Sequence, residues 1–191
     1  MVKVKICGLS DPDMVGLAAR EGADWIGFVF APSARQITPE AAATLLLQVG
    51  KAIPVALLVD PDDALIKTIV DIGFPVLQLH GSETPERVAD VKKMTGREVW
   101  KAIGVRSRCD LVRAATYETA DRLLIDAPAP QGANQAGGHG EVFDWTLLEA
   151  WSAPKAWTLA GGLTPENVVE AIAATGASAV DVSSGVERRR G

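Results

Sequence analysis

The stretch VKVKICGLSDPDMVGLAAREGADWIGFVF, residues 2–30, contains the features that decide the fold. Its first five residues alternate apolar and basic side chains, and its last six, WIGFVF, form a second apolar run. Between the two runs, Asp11-Pro12 supplies an N-cap residue followed by proline at the first helical position, and Gly22 stands where that helix should end. The stretch therefore predicts a strand, a helix and a strand, and the short apolar runs favour buried parallel strands.

Six further apolar runs continue this pattern. They are VALLV, VLQLH, VWKAI, RLLI, AWTLA and AVDV, which begin at Val55, Val76, Val99, Arg122, Ala156 and Ala179. Thr-Pro pairs at Thr38, Thr84 and Thr164 predict helix starts, and helix ends are predicted at Gly73, Gly96 and Gly176. Eight strands alternating with helices at about 25 residues per unit predict a single domain, residues 1–191, folded as a closed (βα)8 TIM barrel. An open doubly wound sheet is the alternative, although no GxGxxG follows the first strand to suggest a Rossmann-type dinucleotide site.

The composition is that of a globular domain without a basic surface. Hydrophobic residues make up 48% of the 191 residues, aromatic residues only 5%, and the net charge is −5. Scattered basic residues and few aromatic residues argue against nucleic acid as a partner. No apolar run reaches the roughly 18 residues that suggest a membrane span. The two cysteines and the lack of a signal-peptide pattern predict a reduced, cytoplasmic protein.

The sequence ends soon after the eighth apolar run. Only SSGVERRRG, residues 183–191, follows it, whereas a barrel of this kind normally has a helix there. We therefore expect the final helix to be missing and apolar surface of the first and eighth strands to face water. Residues beyond Gly191 or a second subunit would cover that surface, so the sequence leaves monomer and homodimer undecided.

Candidate acid–base groups lie where predicted strands end, because barrel enzymes carry their chemistry at the carboxyl ends of their strands. Cys7 follows the first strand and Asp126 the sixth. A thiolate removes a proton from carbon and a carboxylic acid delivers one to another atom, which together is the chemistry of an isomerase. Nearby positive charge would lower the thiol pKa from its unperturbed value of ~8.5. The simpler alternatives are that Cys7 packs as a small hydrophobic residue and that Asp126 caps a turn.

The last two strand ends have the features of an anion site. Gly161-Gly162 follows the seventh strand, whereas the eighth ends with Asp181 and is followed by Ser183 and Gly185. Glycines and a small hydroxyl group expose main-chain N–H groups to an anion, and the corresponding loops of TIM barrels often bind phosphate. We expect these five residues to contact substrate, and the alternative is a pair of ordinary tight turns.

Four further residues are weaker candidates. Arg35, in PSARQI after the second strand, has the planar fork that binds a carboxylate, although a loop arginine is commonly solvated. His80 ends the fourth strand, where a packed or hydrogen-bonded histidine is as common as a functional one. His139 lies in a glycine-rich segment that predicts a mobile loop, and Cys109 at a predicted helix start is incidental. Two distant histidines without clustered carboxylates predict no metal site.

Several motifs together resemble phosphoribosylanthranilate isomerase, an enzyme family of tryptophan biosynthesis. They are KICGL at 5–9, PSARQI at 32–37, QLHG at 78–81, LLIDAP at 123–128, GGHGEVFDW at 137–145, LAGGLTPENV at 159–168 and VDVSSGVE at 180–187. The first and last of these are the most specific. The chain differs from the family in having His139 where Ser or Thr is usual, and in lacking the final helix.

The resemblance implies a (βα)8 barrel that converts N-(5′-phosphoribosyl)anthranilate to 1-(2-carboxyphenylamino)-1-deoxyribulose 5-phosphate by an Amadori rearrangement, without a cofactor. It implies that Cys7 is the general base, Asp126 the general acid, and Arg35 the arginine near the anthranilate carboxylate. The phosphate loops would contain Gly161, Gly162, Ser183 and Gly185.

Three other functions stay open at this point. A sugar isomerase of the histidine pathway has similar chemistry. That enzyme resembles a design with two catalytic carboxylates, and Cys7 at the first strand argues against it. A metal-dependent pentose epimerase would need histidine and carboxylate ligands. A catalytically silent barrel that binds a phosphorylated ligand or a partner domain would have no need of Cys7 and Asp126.

Overall fold

The computed structural model describes residues 1–128 and 143–187. Within these ranges, parallel strands close into a barrel in which each strand pairs with the next and the last pairs with the first. The strands are β1 Lys3–Cys7, β2 Trp25–Val29, β3 Ile53–Leu58, β4 Val76–Leu79, β5 Glu98–Gly104, β6 Arg122–Asp126, β7 Trp157–Leu159 and β8 Ala179–Val182. The prediction of a closed (βα)8 barrel is confirmed, and the open sheet is wrong.

The α-helices of the described ranges follow the strands on the outside of the barrel. They are α1 Pro12–Arg20, α2 Pro39–Leu45, α3 Asp63–Ile72, α4 Pro85–Thr95, α5 Arg108–Ala114 and α6 Val168–Thr175. Short 3-10 turns lie at Leu46–Gln48, Trp145–Leu148 and Ser184–Val186. Asp11, Thr38 and Thr84 cap α1, α2 and α4 as predicted, because each side chain accepts a main-chain N–H of the first turn.

The helix predicted to start at Thr164 is present, but its regular part, α6, begins at Val168. Thr164 caps the turn that leads into it, because its Oγ1 accepts the N–H of Glu166 at 3.2 Å and its carbonyl accepts the N–H of Val168 at 3.0 Å. The side chain of Asn167 completes this turn: its Oδ1 accepts the N–H of Thr164 at 2.8 Å, and its Nδ2 donates to the carbonyl of Gly162 at 2.9 Å.

Alternation along the strands separates an outer apolar layer from the barrel interior. Outward-pointing Phe28 packs on Phe74 with the ring centroids 5.7 Å apart. Inside, Trp25 and Trp100 meet edge to face at 5.3 Å, and the guanidinium of Arg122 lies 5.0 Å from one ring and 5.2 Å from the other. These three side chains fill the amino-terminal end of the barrel, and the candidate site residues lie at the opposite end.

The expected exposure of apolar strand surface to water is only partial on β1 and is not found on β8. Outward-facing Val4 and Ile6 are half-buried, whereas Val180 and Val182 on β8 are buried. The prediction for β8 is therefore wrong, since its outward side chains join the outer apolar layer. None of the helices in residues 1–128 and 143–187 has the length and apolar character that crossing a bilayer requires.

Candidate active site

Cys7 lies at the carboxyl end of β1 and points into the barrel. Lys5 points the same way, because it is two residues earlier on the same strand. Both residues are buried, and the strand register pairs Cys7 with Gly27 of β2. A Cβ atom on Gly27 would lie 2.6 Å from Cys7 Sγ and 3.0 Å from Lys5 Nζ. A glycine at this position therefore leaves space for the thiol and the ammonium group together.

Burial makes the Cys7 thiol a weak acid in the ligand-free protein. Desolvation raises its pKa to about 11, while the positive charges of Lys5 and Arg35 oppose this rise and the charge of Asp181 adds to it. Lys5 and Arg35 act to lower the thiol pKa, as the sequence led us to expect of nearby positive charge. The expectation that the pKa falls below its ordinary value is nevertheless wrong for this state, because desolvation is the larger effect.

Asp126, at the end of β6, is held by a histidine. His80 Nε2 lies 3.2 Å from Asp126 Oδ2, and Gln78 Nε2 donates to His80 Nδ1 at 2.9 Å. Since Nδ1 accepts, the proton of a neutral imidazole is on Nε2 and is donated to the carboxylate. Of the residues that Asp126 would cap in a turn, Pro128 has no main-chain N–H and residue 129 lies outside the described residues. His80, whose role the sequence left open, is thus hydrogen-bonded to the candidate acid.

Asp181 forms a buried ion pair with Lys5. Lys5 Nζ lies 2.8 Å from Asp181 Oδ2, and the register pairs the two residues across β1 and β8. Burial raises the pKa of Asp181, the Lys5 ammonium opposes that rise, and Asp126 adds to it. The other oxygen, Oδ1, is buried without a hydrogen-bond partner among the described residues. Contact between Asp181 and substrate stays a prediction.

Arg35 is buried at the mouth of the barrel and not solvated. Its side chain is 3% exposed, and Nε and Nη2 donate to the two carboxylate oxygens of Glu187 at 2.5 and 2.7 Å. The solvated-loop alternative is therefore wrong. Gly8, with φ +87°, allows this placement, because a Cβ there would lie 2.4 Å from Arg35 Cδ. Within the described ranges no hydrogen bond uses Nη1, so the end of the guanidinium is available to a ligand.

The loops after β7 and β8 pack closely against neighbouring backbone. Gly161 has φ +86°, and a Cβ on it would lie 2.5 Å from the amide nitrogen of Ala127. A Cβ on Gly185 would lie 1.9 Å from the carbonyl oxygen of Leu163. Gly162 also has a positive φ, +61°. Close packing thus requires glycine at 161 and 185 whether or not an anion binds there.

The two loops also present donors. The main-chain N–H groups of Gly162 and Ser184 donate no hydrogen bond within residues 1–128 and 143–187. Ser183 Oγ lies 3.3 Å from the position of a Cβ on Gly8, on the side of the site where Arg35 lies. Unpaired N–H groups in adjacent loops form the kind of concavity that binds an anion.

Two charged residues of the site were missed from the sequence. Lys5 had a signal, since it is a basic residue at an inward-facing position two residues before Cys7. Glu187 had none, because its partner Arg35 is 152 residues away in the chain. His139 lies outside the described residues. Within the described ranges no group of three or more His, Cys, Asp or Glu side chains is placed to hold a metal ion.

Comparison with known proteins gives a consistent result. Residues 4–191 match the family model described as N-(5′-phosphoribosyl)anthranilate (PRA) isomerase. The chain is 66% identical to N-(5′-phosphoribosyl)anthranilate isomerase of Hyphomonas neptunium over 191 residues, which is 100% of this chain and 90% of that protein. It is 52% identical to the isomerase of the same name from Rhodospirillum rubrum, over 98% of this chain and 90% of that protein.

Solved structures agree with the sequence comparison. Phosphoribosyl anthranilate isomerase from Thermotoga maritima superposes with a TM-score of 0.88 at 34% identity, covering 99% of this chain and 91% of that chain. A second structure, of phosphoribosyl anthranilate isomerase in complex with reduced 1-(o-carboxyphenylamino)-1-deoxyribulose 5-phosphate, has a TM-score of 0.85 at 33% identity and covers 99% of this chain and 90% of that chain.

Proposed function

Because the chain belongs to the N-(5′-phosphoribosyl)anthranilate isomerase family and is an isomerase of tryptophan biosynthesis, we propose that Cys7 is its general base and Asp126 its general acid. The protein converts N-(5′-phosphoribosyl)anthranilate to 1-(2-carboxyphenylamino)-1-deoxyribulose 5-phosphate. One observation carries the proposal: a buried thiol on β1 and a histidine-held carboxyl group on β6 end at the same mouth of one barrel.

The charged ends of the substrate fix its orientation in this proposal. The anthranilate carboxylate binds the end of the Arg35 guanidinium, whose other edge is held by Glu187. The phosphate binds N–H groups of the loops after β7 and β8, near Gly162 and Ser184. Ser183 Oγ and the Arg35 side chain both lie close to the position of a Cβ on Gly8, and in this proposal the ribose spans the mouth of the barrel between the two charged ends.

The reaction then needs two proton transfers. Asp126 gives its proton to the ribose ring oxygen as the bond from that oxygen to C1 breaks, and the nitrogen lone pair forms a C1=N iminium. Cys7, as a thiolate, removes the proton from C2. The electrons of that C–H bond form the C1=C2 double bond of an enolamine, and the iminium electrons return to nitrogen. The enolamine becomes the product ketone by gaining a proton at C1 and losing one from the oxygen on C2.

In the ligand-free protein Cys7 is protonated, whereas the reaction needs its thiolate. The pKa of about 11 means that Cys7 is a thiol at neutral pH in the ligand-free protein. The positive charge of the iminium, next to the thiolate, favours the charged form.

Matched serine substitutions at the two cysteines test the proposal. The substrate, generated in place, is followed by the loss of its anthranilate fluorescence. Wild type and Cys109→Ser should turn over alike, because Cys109 is exposed on α5 and is not one of the candidate site residues, whereas Cys7→Ser should be nearly inactive, since a hydroxyl is a far weaker acid than a thiol. Wild-type turnover by Cys7→Ser would remove Cys7 from the mechanism.

A further inference from the structure

We propose that Lys5 is a positioning residue for the reaction: its ammonium group, held by Asp181 inside the barrel, stabilises the Cys7 thiolate at the moment of proton transfer. This inference rests on the proposed role of Cys7 as general base. It assigns a function to a buried charge that has no role in the proposed contacts with substrate.

The first support is where the two groups lie. Lys5 is fully buried, on the inward face of β1 that also carries Cys7. Cys7 Sγ and Lys5 Nζ both lie within 3.0 Å of a single point, the position that a Cβ on Gly27 would occupy. The glycine on β2 therefore lets the ammonium group and the thiol share one space inside the barrel.

The second support is that Lys5 stays charged there. Burial alone would lower its pKa, but Asp181 and Cys7 raise it above its ordinary value. Asp181 Oδ2 accepts a hydrogen bond from Lys5 Nζ at 2.8 Å, whereas Asp181 Oδ1 has no partner among the described residues. The ion pair thus keeps a cation beside the thiol at neutral pH.

The third support is the free-energy cost of burying the Lys5–Asp181 ion pair. Taking two charges out of water is costly, and well-packed apolar residues in the same space often give equal or greater stability. Stability alone thus gives little reason for a Lys–Asp pair in this interior, whereas a thiolate base next to it does. The charged groups that act on Cys7 are Lys5 from β1, Asp181 from β8 and Arg35 from the loop after β2. Of these, Arg35 is already bound by Glu187.

Alkylation of Cys7 by iodoacetamide measures the thiolate directly, because the thiolate is the reacting species. The background is Cys109→Ser, which removes the exposed cysteine. Lys5→Met removes the cation and should slow alkylation at pH 9, by about tenfold for each unit that the thiol pKa rises. A purely structural role would instead lower the stability of Lys5→Met and leave the alkylation rate of the folded variant unchanged.

Lys5→Met leaves Asp181 buried without its partner, so a double variant keeps the test decisive if the single variant does not fold. Lys5→Met with Asp181→Asn replaces the pair by two uncharged side chains of similar size. We expect slow alkylation of Cys7 and a kcat at least tenfold below wild type, with KM changed far less. Alkylation and kcat at wild-type levels in the folded double variant would overturn the inference. An inactive wild-type protein would instead contradict the proposed function.

Discussion

At the scale of single residues, the adjacent Cys7 and Gly8 have different structural roles. Cys7 completes the inward face of β1, where Gly27 leaves space for its sulfur. Gly8 turns the chain out of the strand with φ +87° and lies under the Arg35 side chain, which no Cβ would allow. The strand therefore ends where the proposed base and the proposed carboxylate ligand meet.

The raised pKa of Cys7 predicts how stability depends on pH. Burial raises the thiol pKa from its ordinary value of ~8.5 to about 11 in the folded protein, so the unfolded chain ionises first as pH rises. The stabilising contribution is fully present below about pH 8.5 and is lost as pH rises to 11, by about 3 kcal/mol. Urea unfolding of wild type and Cys7→Ala at pH 8 and pH 10.5 measures this. The wild type should lose more stability between the two pH values, whereas equal losses would show that the thiol pKa is not raised.

At the scale of elements, the ion pair between Arg35 and Glu187 joins the loop after β2 to the end of the segment after β8. Glu187 occupies one edge of the guanidinium and leaves its end for a carboxylate. The loops that are proposed to bind the two negative ends of the substrate are thus held by one contact.

Glu187→Gln tests this coupling. Glutamine has one acceptor oxygen in place of two, so one of the charge-assisted hydrogen bonds to Arg35 is lost, each worth roughly 1.5–3 kcal/mol. We expect KM to rise about tenfold with kcat changed much less, and Arg35→Lys to raise KM as well, because lysine lacks the fork. A lower KM in Glu187→Gln would mean instead that Glu187 competes with the substrate carboxylate.

Gly185→Ala tests the packing of the loop after β8. The new Cβ would lie 1.9 Å from the Leu163 carbonyl oxygen, so the loop must move and the proposed phosphate site with it. We expect a raised KM and a lower melting temperature. Gly176→Ala is the matched control: φ is +68° and no atom lies within 4 Å, so it should cost about 1–2 kcal/mol of stability and leave KM unchanged. Equal KM values in the two variants would place the phosphate elsewhere.

At the scale of the whole molecule, the sequence predicted the barrel because periodicity and capping are local signals. Each strand is a short apolar run, and Asp11-Pro12 or Thr84-Pro85 mark helix starts by chemistry that acts over three or four residues. Thr164 shows the limit of such local signals, because its side chain caps the turn as predicted while regular helix begins only at Val168.

The site was predicted less completely than the fold. Cys7 and Asp126 were identified from the sequence because barrel enzymes carry their chemistry at the carboxyl ends of their strands. The ion pairs that surround them, in contrast, join residues far apart in the chain. Lys5 pairs with Asp181 across 176 positions, and no local pattern contains that contact. The direction in which Lys5 shifts the Cys7 pKa was foreseeable, whereas the larger effect of burial depends on how tightly the closed barrel excludes water.

Cys7 and Asp126 are proposed to act in proton transfer and not in substrate binding or folding. The most direct measurement compares kcat with the Kd for reduced 1-(o-carboxyphenylamino)-1-deoxyribulose 5-phosphate in Cys7→Ser and Asp126→Asn. We expect kcat to fall by about 10²-fold or more in each variant, while the Kd, measured by calorimetry, stays within a few-fold of wild type. A Kd that weakens as much as kcat falls, or a kcat near wild type, would contradict the claim.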